Sequence, residues 1–211
     1  VTTALWLLAS YLVGATPTSY LAGRLARGID LREHGSRNLG ATNVYRVLGW
    51  RWAIPVGVID VCKGVVPVAL FGRWASGPVW LPAALGAAAV LGHVYSPFVR
   101  FRGGKGVATA AGLFLALAPL ALLIALPLWA VCLWLTGYVS LASLVAATSF
   151  PVWVRLTAPG AAPAFWAAVA LAGLIIVSHR SNVRRLLAGT ENRFRTRGGR
   201  GPGQGRGPSA A

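Results

Sequence analysis

Long apolar runs alternate with short, basic-polar stretches along this chain. The apolar runs cover roughly residues 4–24, 52–72, 79–98, 107–118, 119–136, 138–156 and 163–179. Runs of about 18 or more residues with few charges predict membrane-spanning helices. The 107–118 run is short, because about 1.5 Å of rise per residue leaves it well under the hydrocarbon thickness. Parity decides how it is counted. If it crosses, all the basic stretches share one face and the N-terminus lies on the other; if it does not, the last basic stretch is stranded alone. The pattern therefore predicts an all-α, polytopic membrane helical bundle of about seven transmembrane helices, N-terminus outside and C-terminus cytoplasmic. Prolines 17, 55, 67, 119, 127 and 151 lie within or beside these runs, where neighbouring helices can satisfy the freed carbonyls. The first run has no basic flank before it and no clear cleavage site after it, so it reads as a retained span. Residues 1–190 form one integral-membrane domain on this reading. Residues 191–211, rich in Arg, Gly and Pro, form a disordered cytoplasmic tail.

Charge sharpens the topology. The chain is 56% hydrophobic with a formal net charge of +16, and arginine outnumbers lysine 18 to 2. Such a charge suggests nucleic acid until its distribution is read. Six arginines (24, 27, 32, 37, 46, 51) follow the first run, Arg100, Arg102 and Lys105 form a second cluster, and eight arginines from Arg180 to Arg206 form a third. Short loops rich in Lys and Arg stay cytoplasmic, so the charge marks membrane orientation and no nucleic-acid partner is expected. Cys62 and Cys132 are isolated in apolar runs, which indicates neither a disulfide nor a metal cluster. No cofactor is expected.

Three polar motifs fall at the cytoplasmic ends of different spans. Residues 35–46 read G-S-R-N-L-G-A-T-N-V-Y-R. Glycines such as Gly40 let backbone amides approach an anion. Ser36, Asn38, Thr42 and Asn43 add donors, and Arg46 offers a planar fork suited to phosphate. Residues 100–109, R-F-R-G-G-K-G-V-A-T, lead into a helix. A glycine-rich turn before a helix N-terminus is a recurring phosphate cradle, here with Lys105 between Gly103, Gly104 and Gly106, although the Walker spacing is absent. Residues 179–186, H-R-S-N-V-R-R-L, close the last span; His179 and Asn182 are spaced to project together, with Arg180 nearby. Asp60 and Lys63, three apart within a span, read as a structural ion pair, because charges at that depth are expensive unless paired. Ser140 and Ser143 open another span and can face the same site.

In this order and spacing the motifs resemble one family closely, the PlsY-type acyl-phosphate:glycerol-3-phosphate acyltransferases of bacterial membranes. The segments that carry the resemblance are G-S-R-N-L-G-A-T-N-V-Y-R, I-D-V-C-K-G, G-H-V-Y-S-P-F, F-R-G-G-K-G-V-A-T, Y-V-S-L-A-S-L and H-R-S-N-V-R-R-L. It implies a seven-span fold in the bacterial plasma (inner) membrane, with a site facing the cytoplasm. The implied reaction moves a fatty acyl group from acyl phosphate to the 1-hydroxyl of sn-glycerol 3-phosphate, the first step of bacterial phospholipid biosynthesis. A peripheral enzyme that makes acyl phosphate is an implied partner, beside the bilayer itself. Ser36, Thr42, Asn43, Arg46, Lys105, His179 and Asn182 would line the phosphate site. Gly103, Gly104 and Gly106 would shape the turn at glycerol phosphate, with Ser143 or Ser140 completing the pocket. One departure stands out: the family's G-S-G-N is G-S-R-N here, with Arg37 in place of glycine.

The residues suggest a mechanism of their own. A mixed anhydride already carries a good leaving group, so the protein must mainly position two phosphate-bearing substrates and stabilise developing charge. No carboxylate base is apparent: Glu33 is the nearest acid and reads as paired with an arginine. The residues five after His34, His93 and His179 are Leu39, Phe98 and Arg184, which excludes a His/Asp dyad of that spacing. The competing class is a membrane transporter of an organic phosphate, which predicts midplane binding groups and internal symmetry between halves; no repeat is visible.

Overall fold

The computed structural model describes residues 2–194, and these are helical with no strand among them. Residues 195–211, most of the expected tail, lie outside the described residues. The first apolar run folds as two helices, α1 (Thr2–Ala15) and α2 (Thr18–Arg27), and not as one continuous span. Pro17 lacks an amide hydrogen and biases Thr16 away from helical backbone, so the ladder breaks there. α2 then runs off as an amphipathic piece with Arg24 and Arg27 in its last turn.

A loop leads to α3 (Ala41–Leu48), a short helix carrying Thr42, Asn43 and Arg46. α4 (Trp50–Val66) continues through a π turn, Pro67–Phe71, into a final helical turn, α5 (Gly72–Trp74). After it come α6 (Leu81–Val94), α7 (Val107–Leu117), α8 (Pro119–Thr136) and α9 (Val139–Thr157). The described chain ends in α10 (Ala162–Ser178) and α11 (Arg180–Leu187).

Among the described residues, four stretches have the length and composition to cross a membrane: Trp50–Trp74, Leu81–Val99, Pro119–Thr136 and Val139–Thr157. A fifth forms if α10 and α11, bent by 59° at His179, count as one. α7 is apolar but has only 11 residues, about 17 Å of helix.

Without a hydrophobic drive between helices in lipid, small residues that bring backbones together do much of the packing. Gly64 of α4 faces the Thr109 carbonyl of α7, and Gly112 of α7 faces the Val61 carbonyl of α4. A Cβ on either glycine would run into the opposite main chain. Gly14 of α1 and Gly92 of α6 make the same reciprocal contact, against Ala89 and the Tyr11 carbonyl. The α4–α7 seam matters most for the site, because it fixes where α7 begins. A second core joins α7, α8, α9 and α10 through Leu113, Phe114, Ala121, Phe150, Val154 and Leu171.

A buried ion pair braces the same region. Lys63 Nζ lies 2.7 Å from Asp60 Oδ1 and donates to the Thr16 carbonyl at 2.6 Å and to Thr18 Oγ1 at 2.9 Å. The Thr18 hydroxyl donates to Asp60 at 2.6 Å, so the expected structural clamp also ties the Pro17 break to α4. Asp30, and not Glu33, takes the arginine partner in the first basic loop, at 2.6 Å from Arg32 Nη2. Glu33 is exposed.

Candidate active site

The α3 segment is organised from within. Asn43 is 1% exposed, and its Oδ1 accepts the Ser36 amide at 2.7 Å. Its Nδ2 donates to the carbonyls of Leu31 at 3.1 Å and His34 at 3.0 Å. Both amide hydrogens are thus engaged, so Asn43 shapes the loop while also lining the cavity with Ser36, Asn38, Gly40, Thr42 and Arg46. Arg37 sits at φ 59°, in the left-handed region that suits glycine and strains other residues. Its side chain is exposed and does not line the cavity. The backbone here is therefore of the kind glycine adopts more readily, and Arg37 adds no side chain to the cavity lining.

The G-G-K-G turn works differently from the expected amide cradle. The Gly103 amide donates to the Val94 carbonyl at 3.0 Å and the Gly104 amide to the His93 carbonyl at 3.1 Å. Neither residue lines the main cavity. A Cβ on Gly103 would strike the His93 carbonyl, and one on Gly104 the His93 ring. These glycines dock the turn onto the end of α6. Gly106, at φ 80°, turns the chain into α7, and the first helical bond there runs from the Ala110 amide to the Gly106 carbonyl. The amides of the preceding turn have no helical partner, and Val107 and Ala108 line the cavity.

Lys105 projects from this turn and donates to Asn182 Oδ1 of α11. Burial pushes its ammonium down to about 8; Glu191 opposes that fall, and Arg185 and Arg46 add to it. Arg46 is also lowered, first by burial, with Glu191 opposing and Arg185 adding. His179, 2% exposed, caps the α10–α11 bend. Its Nδ1 lies 2.8 Å from the Ile175 carbonyl. A carbonyl only accepts, so Nδ1 carries the hydrogen and Nε2 is left toward the cavity. Ser143 Oγ accepts the Trp129 indole N–H at 3.2 Å on the groove side.

Glu191 is the residue that sequence reasoning missed. It falls in the segment expected to be tail, yet its side chain is 4% exposed. Its carboxylate accepts from Asn182 Nδ2 at 2.8 Å, Ser140 Oγ at 3.1 Å and Arg185 Nε at 2.7 Å. The residues after it are tied down as well. Arg46 Nη2 donates to the Asn192 carbonyl at 3.2 Å, the Phe194 amide donates to the Gly137 carbonyl at 2.7 Å, and Tyr45 stacks on Phe194 at 4.9 Å. The boundary expected at 190/191 is thus passed by a segment that joins α3 to the start of α9. The available signal was rarity: Glu191 is one of only four acids in the chain. Arg180, by contrast, is exposed and does not line the cavity; Arg185 does not line it either, but holds Glu191, which does.

These groups line one end of a cavity of about 400 Å³ whose other wall is apolar. Ala111 and Phe114 of α7, Leu126 of α8, Ala147 and Phe150 of α9 and Leu171 of α10 continue it between the helices. A cationic, donor-rich chamber opening onto an apolar groove, in a multi-pass helical membrane protein, has the shape and charge to suit an anionic headgroup attached to a chain.

The comparisons narrow that description. The family model for glycerol-3-phosphate acyltransferase matches residues 4–189. A glycerol-3-phosphate acyltransferase of Desulforudis audaxviator is 48% identical over 189 residues, covering 88% of this chain and 92% of that protein. Two crystal structures of PlsY, an integral membrane glycerol 3-phosphate acyltransferase, superpose with a TM-score of 0.82. The glycerol 3-phosphate form is 35% identical and covers 92% of this chain and 96% of that one. The lysophosphatidic acid form is 34% identical, covering 92% and 95%. The chain belongs to the glycerol-3-phosphate acyltransferase family, and within it to the PlsY type.

Proposed function

We propose that this protein transfers a fatty acyl group from acyl phosphate to the 1-hydroxyl of sn-glycerol 3-phosphate, releasing lysophosphatidic acid and inorganic phosphate. One observation carries the reading: Arg46, Lys105, His179 and Asn182, from three separate segments, converge at the mouth of an apolar groove. A phosphate among those groups leaves its acyl chain pointing down the groove. The related structures carrying glycerol 3-phosphate and lysophosphatidic acid fit the two ends of such a reaction.

In the proposed mechanism the glycerol hydroxyl attacks the acyl carbonyl and the C–O bond to phosphate breaks. The hydroxyl proton leaves with the phosphate. Lys105, Arg46 and the first turn of α7 hold charge that builds on the phosphate and the carbonyl oxygen. Ser36, Asn38 and Thr42 supply further donors. No acyl-enzyme forms. The His179 geometry favours a second reading of one step, in which neutral Nε2 accepts the hydroxyl proton. That reading adds an acid limb to the rate profile that His179→Gln abolishes.

The topology belongs to the same proposal: seven helical passages, the site at the cytoplasmic end and the N-terminus outside, in a bacterial inner membrane. The segments around residues 46, 105, 138 and 182 meet at one end of the bundle through Lys105–Asn182, Ser140–Glu191 and Arg46–Asn192. An odd number of passages then separates the chain's start from its arginine-rich end.

The test is release of inorganic phosphate by purified protein given acyl phosphate and glycerol 3-phosphate. Lys105→Ala and Arg46→Ala should lose turnover while remaining folded by size-exclusion chromatography. Near-normal rates in both would sink the assignment, and trapping of an acylated serine or cysteine would sink the mechanism.

A further inference from the structure

The groove ends at an aromatic pair. Phe114 of α7 and Phe150 of α9 pack with ring centroids 4.4 Å apart and an interplanar angle of 45°, and both line the cavity. The residues one turn further along (Ala118, reached both from Phe114 of α7 and from the lining residue Leu122 of α8, Val154 of α9 and Ala164 of α10) are buried core and do not line it. Four elements therefore close the groove at one level.

Helix geometry gives the depth. Phe114 lies eight residues beyond Gly106, Phe150 ten beyond Ser140 and Ala168 eleven before His179. At about 1.5 Å per residue these are roughly 12, 15 and 16 Å from the polar end. A fully extended chain advances about 1.2 Å per bond, taking three backbone bonds per peptide residue, so the groove holds on the order of a dozen extended methylenes.

We infer that the Phe114–Phe150 pair is the acyl-length gauge of this enzyme, setting the longest chain that reacts efficiently. The inference rests on the proposed acyl-phosphate reading, because it takes the donor's phosphate to sit beside Lys105. Its physical basis is steric. A chain that leaves the bilayer for this groove gains little from the transfer, since lipid tails are as apolar as the groove wall. Shorter chains are consequently tolerated, whereas a longer one must displace packed aromatic core. Overpacking of that kind typically amounts to a loss of about fivefold to a hundredfold in relative affinity. The gauge is thus one-sided.

The experiment is an internal competition. Purified protein receives glycerol 3-phosphate and an equimolar series of saturated acyl phosphates, and product chain lengths are read by mass spectrometry. The product ratio does not depend on how much of a variant is folded. Phe150→Ala should shift the ratio of long to short products upward by about tenfold, with a smaller shift in the same direction for Phe150→Leu, which keeps the core filled. Ala147→Leu, which adds bulk above the pair, should shift it downward by a similar factor. An unchanged ratio in active variants overturns the gauge and leaves the proposed reaction standing. Absence of product from the wild-type protein with any acyl phosphate overturns both.

Discussion

Lys105 provides the sharpest test of the site's electrostatics. Burial holds its ammonium at about 8, against an ordinary value of 10.5. That displacement corresponds to roughly 3 kcal/mol net against the charged form, with burial the largest contribution. If the charged form binds and stabilises phosphate, kcat/KM is constant below pH 8 and falls roughly tenfold per pH unit above it, because that profile follows the free enzyme. Bound phosphate favours the ammonium, so the corresponding limb in kcat lies at higher pH. Stability moves the other way. Between the folded value near 8 and the unfolded value near 10.5 the unfolded chain holds more protons, so this group's contribution makes the protein more stable as pH rises. The assay is phosphate release in detergent across this range, with the thermal midpoint followed in parallel. Lys105→Arg keeps its charge throughout, so whatever activity it retains should lack the limb. Glu191→Gln removes the carboxylate that opposes the fall and should move the limb to lower pH. A wild-type midpoint near 10.5, or the same limb in Lys105→Arg, refutes the reasoning.

Two further outcomes follow from where side chains lie. Arg37→Gly relieves a left-handed residue worth about 1–2 kcal/mol, offset by roughly 0.5–1 kcal/mol of unfolded-chain freedom; the thermal midpoint should rise slightly with kcat/KM unchanged, and a lower midpoint would count against the strain argument. Arg180→Ala should change kcat/KM by less than about twofold, whereas Arg185→Ala, which deprives Glu191 of its partner, should lower it by about tenfold or more; equal losses would show that the two arginines have been assigned the wrong places.

Much of this was legible because the chemistry sits in short linear motifs whose spacing survives folding. Ser36, Thr42, Arg46, Lys105, His179 and Asn182 all reach one cavity. What escaped was set by contacts distant in sequence. An apolar run counts side chains and not hydrogen bonds, so residues 4–24 read as one span although Pro17 breaks the ladder. G-G-K-G reads as an amide cradle until α6 is seen to take the Gly103 and Gly104 hydrogens. Asn43 lines the cavity as its motif suggests, but its donors are turned to the loop that precedes it. Arg37 stands out in sequence only as a departure from glycine, and the backbone shows that what matters there is φ. Glu191 was hidden by its neighbours, since composition assigns a whole window to disorder while one buried carboxylate can anchor part of it.

That carboxylate changes how the site's charge is understood. The chain has four acids, and three of them are committed to basic partners: Asp30 to Arg32, Asp60 to Lys63 and Glu191 to Arg185. At the cavity, Glu191 offsets Arg185, which leaves Arg46 and Lys105 as surplus cations, the pair that would meet a phosphate on the proposed reaction. With three donors already on its two oxygens, Glu191 is placed as a brace and not as a proton acceptor. The brace also transmits. Arg185, Glu191, Asn182 and Lys105 form one hydrogen-bonded chain, in which Asn182 donates to the carboxylate through Nδ2 and accepts the lysine through Oδ1. Reversal of the Asn182 amide would set like dipoles against both neighbours, so Glu191 fixes which face Asn182 turns to Lys105. Donors held in this way need little reorganisation when charge develops on a substrate. On the proposed reaction, a chain this poor in acids uses one of them to orient the groups that would hold phosphate, and proton transfer would fall to the substrate or to His179.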